Sequence, residues 1–222
     1  MHIGNIFYVK SFRSFAGEIL MEAKEKILKG ATELFFRLGV KSITMDDIAR
    51  ELGISKKTLY QHFEDKHQII LEMCSGILYM NLQVIEKIAK ESKDPIHEII
   101  QTGTHLSKIF SSINPVLIYD LKRYYPEAWQ LLEDFKQKHI LGILENNLRK
   151  GIKMKIYRSN LNVMLMARYR LAQFDLALNT SILPDINLIM GKIQLTILEH
   201  FLIGITTLKG HQLLNKYKNL ND

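Results

Sequence analysis

The sequence predicts an all-α fold of about nine helices, and three observations predict it. Only four prolines and twelve glycines punctuate the 222 residues. Long stretches between them are dominated by Leu, Ile, Lys and Glu, mostly good helix formers. Apolar residues in those stretches recur at helical rather than strand spacing. A hydrophobic content of 47% with 24% charged residues is that of a globular chain able to bury a sizeable core.

The elements follow in order. The first twenty residues lack a signal-peptide pattern, because the apolar patch is short and Lys10 and Arg13 follow it. Residues 1–21 read as a loosely held extension, or as a basic arm that touches DNA, and Met21 is an alternative start. Ala23, Ile27, Ala31, Leu34, Phe35 and Leu38 mark a first helix over 22–38, ended by Gly39. Thr44 is an N-cap, with Asp47 completing a capping box, for a short helix whose inner face is Ile48, Ala49 and Leu52. Gly53 permits a tight exit. Ser55 caps the next helix, which buries Leu59, Tyr60 and Phe63, and Asp65 caps a long helix over 66–91.

The stretch SKDP at 92–95 breaks the pattern, since the residue before Pro95 is pushed out of helical geometry. Helices are expected at about 95–112 and 115–124, and from Pro126 to about Lys150. Gly151 to Asn160 reads as a linker. Two apolar helices follow at about 161–179 and 185–208, separated by Leu183 and Pro184.

A helix of eight residues is marginal alone and survives only when packed. Ile48, Ala49, Leu52, Ile54, Leu59 and Phe63 supply a shared core with the first helix. Two short helices joined by a tight turn make a helix-turn-helix, whose second helix can enter the major groove of DNA. Its outward residues are then Lys56, Lys57, Thr58, Gln61 and His62, with Tyr60 turning its hydroxyl towards phosphate and Lys66 adding a cation. Thr44 and Ser55 complete the expected DNA-binding set. The net charge of +7 allows a polyanion partner. Between Lys41 and Lys66, however, five basic residues (41, 50, 56, 57, 66) meet five acidic ones (46, 47, 51, 64, 65), so the direction of each charge decides.

Gly39, Thr44, Ile48, Ala49, Leu52 to Ser55, Thr58 to Tyr60, His62, Phe63 and Lys66 together resemble the N-terminal domain of TetR-family transcriptional regulators. The resemblance covers residues 24–70. Leu52 and Lys57 depart from it, standing where family members often have Ala and Gly. The resemblance implies a DNA-binding domain over 22–66 and a helical ligand-binding and dimerisation domain over 67–222. It also implies a homodimer on a palindromic double-stranded operator, a small-molecule effector and repression as the commoner outcome. The single cysteine points to a reducing, cytoplasmic compartment, no run approaches the ~18 apolar residues of a membrane span, and no cofactor is expected. The last two helices, Leu161–Asn179 and Pro184–Leu208, would form a four-helix bundle with their mates.

Candidate ligand-pocket groups are His105, Tyr119, Tyr124, Tyr125, Trp129, Arg168 and Gln173, aromatic surface with a few polar handles. Arg168 and Arg170 lie on a mostly apolar helix, and a buried cation needs a partner such as Asp120, Asp175, an acidic effector or a dimer mate. Cys74 falls in an apolar pattern and reads as a buried small hydrophobe, with a redox role as the other reading. The basic run Arg149, Lys150, Lys153, Lys155 and Arg158 reads as solvated surface. An all-α enzyme or a helical adaptor is the competing class. No metal-ligand spacing, phosphate-binding glycine loop or nucleophile elbow supports an enzyme.

Overall fold

The computed structural model describes residues 22–178 and 190–218, and every regular element among them is helical. Helix α1 covers 22–38. It is followed by α2 (Met45–Glu51), α3 (Lys56–His62), α4 (Lys66–Glu91), α5 (Pro95–Ser112), α6 (Pro115–Tyr124), α7 (Pro126–Phe135), α8 (Leu141–Lys153), α9 (Val163–Leu178), α10 (Met190–Ile205) and α11 (Leu208–Lys218). The expected arm at 1–21, and residues 179–189 between the last long helices, lie outside the described residues.

The local signals act as read. Thr44 accepts from Asp47 N at 3.1 Å while Asp47 Oδ2 accepts from Thr44 N at 2.9 Å, a complete capping box. Ser55 caps α3, Asp65 caps α4 and Asp94 caps α5, each through its side-chain oxygen. Pro95, Pro115 and Pro126 all sit in first turns, where a missing N–H costs nothing. Gly53 (φ 63°) turns α2 into α3, a conformation an L side chain adopts only with strain.

Three features were not expected. One turn at Lys136–Ile140 widens to π geometry inside the continuous rod formed with α7 and α8. The stretch read as a linker enters the core, with Ile156 and Tyr157 each 1% exposed and Arg158 N donating to Ile205 O at 2.9 Å. The last helix divides after Ile205, where Thr207 Oγ1 accepts from Gly210 N at 3.2 Å and starts α11.

Two cores result. The first unites α1, α2, α3 and the start of α4 through Phe35, Ile48, Leu59, Phe63 and Ile70, and continues into Leu117, Leu121 and Ala128 of α6 and α7. The second joins α5, α8, α9, α10 and α11 around Ile96, Leu148, Tyr157, Leu198 and Leu202. Helix α4 is long and apolar enough by composition to cross a membrane. Part of its apolar surface is used inside the protein, Ile69, Ile70 and Met73 in the first core, then Cys74, Ile77 and Ile85 on a cavity, while Tyr79 and Met80 are exposed.

Candidate nucleic-acid interface and internal cavity

Helix α3 has seven residues and is held by burial of Leu59 (0% exposed) and of its C-cap Phe63 (1%). Its opposite side is open. Lys56, Lys57 and Gln61 are exposed, Thr58 and His62 are half-buried, and Tyr60 is 53% exposed. Ser55 Oγ is engaged with Thr58 N at 3.0 Å and Thr58 Oγ1 at 2.8 Å, so both hydroxyls shape the helix start. Thr44 Oγ1 likewise donates to Asp47 Oδ2 at 2.6 Å, and the hydrogen bonds from Thr44 hold the Asp47 carboxyl below its ordinary value.

The balance of charges in this region resolves in space. Asp46 accepts from Lys56 Nζ at 2.5 Å, Glu51 pairs with Arg37 at 2.5 Å, Asp47 pairs with Arg50, and Asp65 is spent on the α4 cap. Exposed pairs of this kind contribute little to stability. Lys57 and Gln61 have no side-chain partner among the described residues, and both point outward.

Lys66 differs from expectation. Its Nζ turns back to the loop after α1, donating to Val40 O at 2.8 Å and Ile43 O at 2.6 Å. From the other side Asp120 Oδ2 accepts from Val40 N at 3.0 Å and Lys41 N at 2.8 Å. The loop after α1 is thereby clasped between the first residue of α4 and the middle of α6. Gly39 completes the arrangement: it adopts φ 78°, and a Cβ there would sit 2.8 Å from Asp120 Oδ2 and 2.9 Å from Val116 Cγ1. Sequence reading missed this clasp because a single Asp at helical spacing resembles any surface carboxylate.

A cavity of about 160 Å³ lies among α4, α5, α6, α7 and α9, lined by residues such as Phe36, Cys74, Phe110, Trp129, Phe135 and Phe174. Of the seven candidate pocket residues, Trp129 lines it. His105 stands one shell out, its Nε2 2.8 Å from Oδ1 of the lining Asn81. Tyr119 and Arg168 face solvent, Tyr124 accepts from Lys41 Nζ at 2.8 Å, and Tyr125 stacks on His67. Gln173 is buried and accepts from Arg170 Nη1 at 3.2 Å.

That contact and two aromatic rings account for the buried Arg170. Its guanidinium lies 4.4 Å from the Phe174 centroid and 5.9 Å from that of Phe201, and burial pulls its pKa down to about 10. Neither carboxylate considered for it is its partner: Asp120 serves the loop and Asp175 serves Lys136 at 2.6 Å. Burial pushes the Cys74 thiol up to about 11, which keeps it protonated as an apolar group of the wall. Among the described residues no group of three or more His, Cys, Asp and Glu is placed to hold a metal.

Residues 27–73 match the family described as bacterial regulatory proteins, tetR family. An HTH-type transcriptional regulator of Staphylococcus aureus (strain USA300) is 32% identical over 124 residues, 51% of this chain and 65% of that relative, so the match spans just under two thirds of its length. The fold is similar to a transcriptional regulator from Saccharomonospora viridis solved with choline (TM-score 0.67, 19% identity, 84% of this chain and 99% of that one). It is also similar to FadR of Bacillus subtilis solved with stearoyl-CoA (TM-score 0.63, 19% identity, 82% of this chain and 98% of that one).

Proposed function

We propose that this chain, whose residues 27–73 match the tetR family of bacterial regulatory proteins, is a cytoplasmic, DNA-binding transcriptional regulator of that family that reads its operator with α3. The observation that carries the reading is the two-sidedness of that helix: Leu59 and Phe63 lock one side into the core while Lys57, Tyr60 and Gln61 stand free on the other. Lys57 and Gln61 address base edges; Tyr60 and Lys56 address phosphates, together with the hydroxyls of Thr44, Ser55 and Thr58 and the His62 ring. Lys66 supports the same surface by holding the loop carbonyls.

Residues 22–66 form the reading head and residues 67–222 the body. Homodimerisation through α9 and α10 presents two heads to a palindrome, half-sites about 34 Å apart. It is supported by the apolar residues those helices leave exposed, Met164, Leu165 and Tyr169 on α9 and Leu195 and Ile203 on α10. Regulation is repression relieved by a small molecule in the cavity beside Trp129. Neighbours of similar fold solved with choline and stearoyl-CoA support an effector, without specifying this one. The occupant acts on α4 and α6, both of which line the cavity and hold the loop of the head.

A fluorescence anisotropy titration on DNA flanking the gene tests the reading. Expected is salt-dependent binding to one fragment, weakened by Lys57→Ala and by Tyr60→Phe. No binding to any genomic fragment across a range of salt overturns it.

A further inference from the structure

The cavity wall carries information about its occupant that the fold does not. Apart from the Cys74 thiol and the Trp129 indole N–H, its polar side chains are Lys136, at the π turn, and Asn81 on α4. Both are already engaged within the protein rather than left free for a charged guest. Lys136 Nζ donates to Glu133 Oε1 at 2.8 Å and to Asp175 Oδ1 at 2.6 Å, so one buried ammonium already serves two carboxylates. Asn81 Nδ2 donates to Ile77 O at 2.8 Å, and its Oδ1 lies 2.8 Å from His105 Nε2. The buried side-chain atoms without a partner among the described residues, His97 Nδ1 and Gln194 Oε1, belong to residues away from this wall.

An anion entering here would set a third negative charge against one lysine. A cation would leave water for a wall without a carboxylate, since Glu133 and Asp175 hold Lys136 but do not line the cavity. Both pay a desolvation cost with nothing to offset it. An uncharged apolar guest pays none, and gains the faces of Phe110, Trp129, Phe135 and Phe174. Size points the same way. An apolar cavity of about 150 Å³ in an unrelated protein takes benzene, and this partly open one measures about 160 Å³.

We infer that the cavity among α4, α5, α6, α7 and α9 takes a small uncharged aromatic or hydrocarbon molecule, about one substituted ring in size, and discriminates against charged molecules of the same shape. The inference rests on reading the body as an effector domain, but it is tested separately from DNA binding.

Trp129 is the one tryptophan in the sequence and lines the cavity, so its emission reports occupancy directly. The full chain is titrated with n-butylbenzene, 4-phenylbutyrate and 4-phenylbutyltrimethylammonium, with thermal melting in parallel. Expected is a saturable emission change and a raised Tm with n-butylbenzene, and binding at least about tenfold weaker for both charged analogues. Asp175→Asn, at an exposed position, releases part of the Lys136 charge. It should strengthen 4-phenylbutyrate severalfold while leaving n-butylbenzene unchanged. Equal or tighter binding of either charged analogue overturns the inference. So does the absence of a saturable signal with all three, or an Asp175→Asn protein no better at holding the anion. Anisotropy on operator DNA without ligand separates the two readings: DNA binding without n-butylbenzene binding sinks the ligand class alone. The converse result sinks the regulator reading and leaves the ligand class standing.

Discussion

Lys57 and Lys66 stand nine positions apart and carry the same charge, yet their surroundings assign them different work. Lys57 ends in solvent on the open side of α3, whereas Lys66 is tied to the carbonyls of Val40 and Ile43. Lys57→Ala is expected to cost about 1–3 kcal/mol on the operator and to relax base preference, with the melting temperature unchanged, as read by anisotropy on operator and random DNA. Lys66→Ala should instead lower the melting temperature and weaken all sequences alike, because loop carbonyls lose a charged donor. Its slope of affinity against salt should stay as in the parent protein. A second residue-scale case is Glu98, 5% exposed at the start of α5. Burial raises its carboxyl pKa, opposed by a hydrogen bond from Asn147 and by the charge of Lys150. The folded chain therefore keeps this proton to higher pH than the unfolded chain does. Stability from the group is fully present below the ordinary glutamate pKa and is lost as pH rises through the raised value. Glu98→Gln should accordingly raise Tm at neutral pH, with the gain vanishing near pH ~4, where both side chains are neutral.

At the scale of elements, the short helices persist because caps and burial act together. The Thr44 and Ser55 caps are each worth about 1 kcal/mol, and neither helix would last without Ile48 and Leu59 in the core. The clasp of the loop after α1 links one element of the head to one of the body. Asp120→Ala leaves the N–H groups of Val40 and Lys41 without their carboxylate, at a cost of about 1–3 kcal/mol for the buried one. We expect lower stability and a head less responsive to the cavity: an effector that weakens operator binding by the parent protein should weaken the variant's less. An unchanged response would assign transmission to α4 alone. The π turn has a similar bearing. It begins at Lys136 and brings that ammonium to Glu133 and Asp175 at the cavity edge, tying the α7–α8 rod to α9.

For the whole molecule, the proposed homodimer makes affinity depend on two heads acting as one ligand. A single short helix buries too little surface for tight specific binding, and linking two half-sites adds roughly 10²–10⁴ in avidity. The exposed apolar residues of α9 recur at 165 and 169, and those of α10 at 195 and 203, each one helical turn or two apart. Leu165→Glu combined with Tyr169→Glu should shift sedimentation from dimer to monomer, with the head still folded and operator affinity reduced by about 10² or more. A monomer of full affinity would place the interface, or the mode of binding, elsewhere. Arg170 belongs to this scale too. Stacked on Phe174 and Phe201, it meets rings and an amide rather than the two carboxylates proposed from spacing.

What the sequence determined by itself is what local physics controls: helix ends and the inward side of each helix. Thr44, Ser55, Asp65, Asp94 and the first-turn prolines act on backbone groups two or three residues away, so their roles are written in the order of residues. Leu59 and Phe63 follow from periodicity, whereas Tyr60, expected to be buried beside them, is 53% exposed and joins the outward side of α3. What only the tertiary structure decided involves partners far apart in the chain. Asp120 finds the loop 79 and 80 residues away, Lys136 finds Asp175 at 39, and the end of α10 is fixed by Ile156 and Tyr157 crossing beneath it. Those pairings carry no periodicity and no cap signature. Their energy comes from desolvating a charge or an N–H that must then find its complement, and only the folded packing shows which complement is near.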